Sequence, residues 1–373
     1  VSAQITVTLL VALAVTGFMM AVVPYLTRRT ESFGVSIESR HWHDPEIRGM
    51  RRKYALGTGS VAVLAILAVL IVDVFFDAAY LVWVLLAVVI AMMITQSGLY
   101  LLFHFRMKTL KKSRGLLSSE QQIIAETAFH REKRAVSNWW LLPHLAVAAA
   151  TAAFCLIFYD RFPDQLVMQY DAQGNPTRVV EKNYGAVLMP VIMQLFMVFT
   201  FWLVNYGIAS SKQQLDAARP HESLRKNLVF RRRWSAFLLI GGFLLVLAFA
   251  LMPLQMVYRL DPSVQMAAFT GVTLFMTLGA MILSFMTGQG GSRIRMRGPA
   301  GETAAGMVNR DDDRYWKLGV FYYNPEDPAI FIEKRFGVGW TMNWARPAAW
   351  ALMFGPLVLI FLVMFLLETI FDL

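Results

Sequence analysis

His41, His43, Asp44 and Glu46 form the densest group of side chains that could ligate a metal. A His-x-His pair throws both rings to one side of an extended strand, which is how a zinc site can begin. No second ligand pair follows at zinc-site spacing, so His41 and His43 are weak candidates. Asp44-Pro45-Glu46 reads more simply as a helix start, with aspartate as the cap and proline at the first helical position. The chain lacks HExxH, GxSxG and GxxxxGK[ST], the spacings that build a metalloprotease, a hydrolase elbow and a phosphate loop. Gly288 to Gly291 is glycine-rich without a following Lys-Ser/Thr and reads as a linker. The single cysteine, Cys155, lies in an apolar run, which excludes a disulfide framework and a CxxC site and leaves packing. No set of catalytic groups can be assembled and no cofactor is called for, so the residues argue against an enzyme.

The elements that position these residues follow from composition. Hydrophobic residues make up 57% of the 373 and charged residues only 16%, too apolar for a water-soluble core. A hydrocarbon layer of about 30 Å needs roughly 20 apolar helical residues to cross, because backbone groups left unpaired in lipid cost several kcal/mol each. Such stretches run from Ile5 to Leu26, Leu56 to Phe76, Ala78 to Phe103, Leu141 to Tyr159, Tyr184 to Ile208, Trp234 to Tyr258, Val264 to Met286 and Pro347 to Phe371. The first has no basic residues before it, and Arg28 and Arg29 follow it, so it reads as a retained helix and not a signal peptide.

Charge distribution tests the span count. The segments after spans one, three, five and seven hold 7, 8, 7 and 9 Lys and Arg, or 31 of the 35. The other side holds Arg161, Arg178, Lys182 and Arg259. The positive-inside rule then predicts a cytoplasmic basic side, with both chain ends outside. The net charge of +10 is thereby explained by orientation and by attraction to anionic headgroups, at about 1 kcal/mol per charge. Direct nucleic-acid binding is not implied.

The expected fold is an all-α polytopic membrane protein with eight transmembrane helices, a small cytoplasmic β element before the last helix and an extracellular hairpin between helices four and five. The expected units are 1–140, a three-helix region with two cytoplasmic segments; 141–287, a four-helix region with the outer loop 160–183; 288–346, a cytoplasmic strand-containing module; and 347–373, the last helix. Inside, Phe33, Val35 and Ile37 alternate as in a strand. Ser119 with Gln122 has capping-box spacing before an amphipathic helix running to Arg134. Leu224 and Leu228 beside Arg231 to Arg233 suit a helix along the inner leaflet. Phe321-Tyr322-Tyr323, the turn Asn324-Pro325-Glu326-Asp327-Pro328, Ile330 to Ile332, and Gly337 and Gly339 before Trp340 read as a small antiparallel sheet. Phe-Gly-Val occurs at Phe33 to Val35 and again at Phe336 to Val338. Outside, Phe162 to Tyr170, the turn from Asp171 to Pro176 and the return from Thr177 to Lys182 read as a hairpin.

The run Pro163-Asp164, Tyr170-Asp171-Ala172-Gln173-Gly174-Asn175-Pro176, Lys182 and Pro190 resembles a bacterial membrane-domain family of unknown function. That family occurs beside, or within, immunity proteins for the sporulation-delaying killing peptide. The block from Asp313-Arg314-Tyr315-Trp316-Lys317-Leu318-Gly319 through Asn324-Pro325 to Arg335-Phe336-Gly337-Val338-Gly339-Trp340-Thr341 resembles a second uncharacterised domain found with it. The resemblance touches about a third of the chain and implies a bacterial cytoplasmic membrane protein acting in peptide-toxin immunity or signalling. Family members often carry histidine where this chain has Gln169, so no metal or proton role carries over to that position.

Polar groups inside spans are the usual mark of transport or relay chemistry. Here Asp73, Asp77 and Glu368 sit near the outer ends, and Gln96, Gln194 and Asn205 are neutral and suited to bonding between helices. His104 and His144 read as bonding headgroups or helix ends, and the 21 methionines as packing. The leading expectation is a sensor or immunity-type protein that couples an external peptide or envelope signal to a cytoplasmic regulator. Its outer recognition candidates are Pro163, Asp164, Gln169, Tyr170, Asp171, Gly174, Pro176 and Lys182. Its inner candidates are Trp316, Tyr322, Tyr323, Asn324, Pro325, Arg335, Gly337 and Trp340. The alternative is a subunit or accessory of a membrane transporter.

Overall fold

The computed structural model describes residues 3–76, 78–116, 121–122, 134–170, 176–214, 220–295, 308–309 and 313–371. Among the described residues, eight helices are long and apolar enough to cross a membrane, which makes the chain a multi-pass membrane protein. They are α1 (Ala3–Leu26), α2 (Pro45–Phe75), α3 (Ala78–Arg114), α4 (Leu142–Ile157), α5 (Tyr184–Ser210), α6 (Pro220–Tyr258), α7 (Pro262–Thr287) and α8 (Pro347–Phe371). Helices α1 to α3 pack in sequence order, α4 to α7 pack around α6, and α1 meets α7 where the two groups join. Helix α8 leans on α5.

Helix starts follow local chemistry. The Asp44 side chain accepts from the Glu46 N–H with Pro45 at the first helical position, Asn183 accepts from the Ala186 N–H to begin α5, and Asp261 accepts from Ser263 to begin α7. Helices α2, α3 and α6 run well past their apolar stretches on the basic side. A helix satisfies its own backbone, so it need not stop where lipid stops. For the same reason Leu224 and Leu228 lie on the first turns of α6 itself, buried, and not on a separate helix along the leaflet.

Among the described residues, ten short strands pair two by two, each pair antiparallel. At one end, β4 (Gln165–Tyr170) and β5 (Pro176–Glu181) form the hairpin between α4 and α5, with a register shift on either side of Gln169. Its base is docked by Phe162 and Leu166, both buried against Cys155, Ala186, Val187 and Val191. At the basic end, β1 (Glu31–Ser32) pairs with β2 (Val35–Ser36), β7 (Trp316–Lys317) with β8 (Phe321–Tyr322), and β9 (Phe331–Glu333) with β10 (Trp340–Met342). Bridges from Tyr322 to Asn343 and from Lys212 to Ile332 knit the last two pairs to each other and to the end of α5. Where an amphipathic helix is expected, β3 (Gln121–Gln122) pairs with β6 (Val308–Asn309). Gln122 is therefore extended and not a capping-box residue, while Ser119 and 123–133 lie outside the described residues.

Candidate functional site: a buried ionic clasp opposite a methionine-lined cleft

The residues between Asp313 and Arg346 close over the basic end of the bundle as a clasp. At its centre is Glu333 on β9, with no solvent exposure. Its Oε1 accepts from Arg231 Nη2 at 2.9 Å and from Asn227 Nδ2 at 2.7 Å, both on α6. Its Oε2 pairs with Arg28, just past α1. Arg231 is equally buried, and its remaining N–H groups donate to Asn227 Oδ1 and to the Ile208 and Ser211 carbonyls at the end of α5. Burial pulls Arg28 below the ordinary arginine range, opposed by Glu31 at 3.6 Å. Two guanidinium groups taken out of water are tolerable because carboxylates and carbonyls meet their donors.

A second ion group joins the clasp to the first three helices. Asp313 accepts from Lys111 of α3 at 2.7 Å, from the Ser36 N–H at 3.1 Å and from Arg335. Partial burial works against its charge, but Arg335 and Lys111 outweigh that and hold the carboxyl down at about 2. Arg335 also lies 5.1 Å over the buried Trp316 ring. Beside it, Phe336 packs 4.4 Å from the Tyr100 ring and 6.0 Å from both Phe33 and Tyr54. The two Phe-Gly-Val triplets thus meet through their phenyl rings in one aromatic core.

Two turns close on each other above that core. Phe33 and Gly34 both have positive φ, 48° and 75°, as the two-residue turn between Ser32 and Val35 requires. Leu318 and Gly319 repeat the pattern at 53° and 72°. A Cβ on Gly34 would lie 2.5 Å from the Gly319 carbonyl oxygen and 2.7 Å from Tyr100 Oη. Tyr100 Oη donates to the Leu318 carbonyl at 2.9 Å, and His104 Nδ1 bonds the Phe33 carbonyl at 2.8 Å.

The turn Asn324-Pro325-Glu326-Asp327-Pro328 is closed by side chains. Asn343 Nδ2 donates to the Asn324 and Asp327 carbonyls, and Asn343 Oδ1 accepts from the Asn324 N–H. Asp327 accepts from Lys212 at 2.6 Å, from Tyr322 Oη at 2.9 Å and from the Ala329 N–H. Burial again opposes ionisation there, and these three donors prevail to lower its pKa. Past α7, Gln289 is buried, its amide donating to the Lys334 and Gly339 carbonyls and accepting from the Gly339 N–H. Gly288 to Gly291 is therefore a structured turn that presents Gln289 to the clasp, and not a linker.

Of the inner candidates, Trp316, Tyr322, Asn324 and Arg335 are buried parts of the clasp, while Tyr323 is half exposed. Gly337 and Gly339 carry the positive φ of the turn before Trp340. Sequence reading did not single out Glu333, Asn227 or Gln289, and it gave Arg28, Arg231 and Phe336 no part in this site. A glutamate between apolar strand residues and an arginine aligned with Leu224 and Leu228 were the signals available.

At the other end, Lys182 donates to the Phe162 carbonyl and lies 3.3 Å from the fully exposed Asp164, tying the hairpin base beside Pro163. Gln169 is opposite Arg178 and Tyr170 opposite Pro176. Asp171 and Gly174 lie outside the described residues. Between β4, β5, α5 and α8 is a cavity of about 260 Å³ lined by Met168, Arg178, Val180, Met189, Met193, Met364 and Glu368. Arg178 Nη2 and Glu368 Oε1 face each other there at 3.6 Å.

His41 and His43 sit on a short 3-10 turn, Ser39–His43, where they do not share a strand face. His41 lies 3.8 Å from Glu38, and Asp44 and Glu46 are held by Arg114. His104 is buried beneath the Phe33-Gly34 and Leu318-Gly319 turns, and His144 is buried between helices, where its Nε2 bonds the Leu239 carbonyl at 3.0 Å.

Residues 325–350, within the clasp and the start of α8, match a family of unknown function, DUF5808. Residues 146–193, covering most of α4, the hairpin and the start of α5, match a domain of unknown function, DUF1648. No curated protein and no solved structure matches the chain.

Proposed function

We propose that this protein is a sensor or immunity-type protein of a bacterial cytoplasmic membrane, receiving an external peptide or envelope signal at the β4–β5 hairpin and passing it to a soluble regulator at the clasp. The observation that carries this reading is helix α5. It begins at the Asn183 cap beneath the hairpin, and beyond its other end the Lys212 N–H donates to Phe331 of β9 at 2.8 Å. One helix therefore has a mechanical connection to both modules, and a tilt imposed at the hairpin would reach the Glu333 network directly. The basic residues favour a clasp in the cytoplasm beside anionic headgroups. The polar groups between α4, α5 and α6 favour this reading over a transport route, because their side-chain donors are taken up by neighbouring side chains and carbonyls within the bundle. Gln194 donates to Thr151 and to the Val246 carbonyl, and Asn205 bonds Asn138 and Ser235.

The test is photocrosslinking in the native host from a reactive residue at Tyr323 and, separately, at Tyr170. A soluble regulator trapped from Tyr323, or a secreted peptide from Tyr170, supports the proposal. Membrane proteins alone from both positions would shift the assignment to a transporter subunit. Deleting Thr177 to Lys182 should abolish the response while the protein still inserts.

A further inference from the structure

Two hairpins at the basic end turn on an apolar residue followed by glycine, and only one of them hides the apolar side chain. A two-residue turn with positive φ at both positions is usually Asn-Gly or Asp-Gly, because Asn and Asp tolerate left-handed backbone and present a polar group to water. Phe33-Gly34 and Leu318-Gly319 depart from that rule. Phe33 is fully buried in the aromatic core, which explains a phenyl group there. Leu318 carries the same backbone strain at φ 53° and is 43% exposed, so contacts within the chain do not explain its side chain.

The surface around Leu318 is continuous with surface that faces lipid. Strands β7 and β8 set Trp316 opposite Tyr322 and Lys317 opposite Phe321. Trp316 and Tyr322 are buried in the clasp, so by strand alternation Lys317 and the exposed Phe321 point out. The bridge from Tyr322 to the buried Asn343 gives Trp344 the same outward side. Trp344 meets Trp350 of α8 edge-on at 4.9 Å, and Trp350 lies 5.9 Å from Phe354 one turn on. Trp350 and Phe354 are exposed near the start of a helix able to cross the membrane, where an aromatic belt belongs. On the other flank, α3 sets the depth. Tyr100 and His104 pack on the Leu318-Gly319 turn, and they straddle Phe103, where the apolar run from Ala78 ends. Arg106, Lys108 and Lys112 follow, all exposed and with no acidic residue among them. Basic side chains just past an apolar run complement anionic headgroups.

We propose that the outward face of β7 and β8 is seated in the lipid leaflet at the basic end, with Leu318 and Phe321 among the first acyl carbons and Lys317, Arg106 and Lys108 on anionic phosphates. The clasp is then a lipid-reading element, fastened to the bilayer as well as to the helices. This goes beyond the signalling reading and does not depend on the hairpin communicating with the clasp.

The experiment uses the full chain with Cys155→Ala, reconstituted in vesicles of phosphatidylethanolamine and phosphatidylglycerol and carrying one nitroxide, at Leu318→Cys or at Phe321→Cys. Arg40→Cys and Phe354→Cys, both at exposed positions, serve as the water and lipid references. Power saturation reads collision with oxygen, which concentrates in lipid, against collision with a water-soluble nickel chelate. At Leu318 and Phe321 oxygen should dominate, as at Phe354. Dominance of nickel, as at Arg40, would mean solvent, and access to neither would mean a protein cover; either result overturns the proposal. The unaltered chain gives a second reading that does not depend on a variant folding. Amide exchange within 316–322 should be slower in vesicles containing phosphatidylglycerol than in phosphatidylcholine alone, and Lys317→Gln should cut that ratio by about fivefold, the factor that corresponds to about 1 kcal/mol per charge near the surface. Equal exchange of the unaltered chain in the two lipids would overturn the proposal. Tyr323 is left in place, so neither failure bears on the crosslinking test of signalling.

Discussion

Glu333 meets Arg28, Arg231 and Asn227 at the centre of the basic end. Replacing it by glutamine keeps the shape but leaves Arg28 and Arg231 buried without their shared carboxylate. Loss of one partner from a buried pair costs about 3–5 kcal/mol. Glu333→Gln should therefore lower the thermal midpoint in detergent sharply, whereas an unchanged midpoint would mean the pair does not hold the clasp. Adding Arg231→Met should cost less than the sum of the single changes, because the second removes a charge the first has stranded. Asp313 gives a pH dependence. Its folded pKa of about 2 lies below its ordinary 3.8, so its contribution is complete above 3.8 and is lost as pH falls toward 2. Pepsin cleavage within 313–346 should rise over that window, and in Asp313→Asn it should already be present at about pH 4. Neither role was legible beforehand. Asp313 sits in an acidic run, Asp311-Asp312-Asp313, and nothing in the sequence says which of the three meets Arg335 and Lys111.

Among the elements, the paired turns Phe33-Gly34 and Leu318-Gly319 show how a short hairpin can be specified by its neighbour. Each needs left-handed backbone, and each leaves no room for a Cβ where the turns meet under Tyr100 and His104. Gly34→Ala should destabilise the clasp by about 1–3 kcal/mol through strain and collision. Gly319→Ala should act similarly, and the two together should cost less than their sum because they break one contact. Thermal unfolding of the three variants distinguishes this from independent turns, which would add. The strands themselves were foreseeable from Asn324-Pro325 and from the alternation around Phe33. Their partnership was not, because two- and three-residue strands have too few side chains to define a register alone. Helices α3 and α6 show the complementary limit. Hydropathy marks where lipid ends, but the helix ends only where its hydrogen bonding does.

Across the whole molecule, charge separates the two ends, and the proposed orientation puts the end rich in Lys and Arg in the cytoplasm. With the buried Cys155 changed to alanine, a cysteine at the exposed Asp164 should react with an impermeant maleimide on intact cells. One at the exposed Arg40 should react only after lysis. The opposite pattern would invert the proposed direction of signalling. The sequence by itself determined the membrane class, eight spans, the hairpin between the fourth and fifth, and a strand-bearing segment before the last. Those features rest on local quantities: the length of an apolar run, a capping aspartate, a turn dense in Asn, Pro and Asp. Only the tertiary structure decided that Phe336 enters the aromatic core of the first three helices and that Arg28 and Arg231 share Glu333. It alone brought four separated methionines around one cleft. These are meetings between residues that lie tens to hundreds of positions apart. Periodicity along a chain carries no record of which distant side chain shares a pocket, and the match of charge, shape and hydrogen bonding on closure selects the partner.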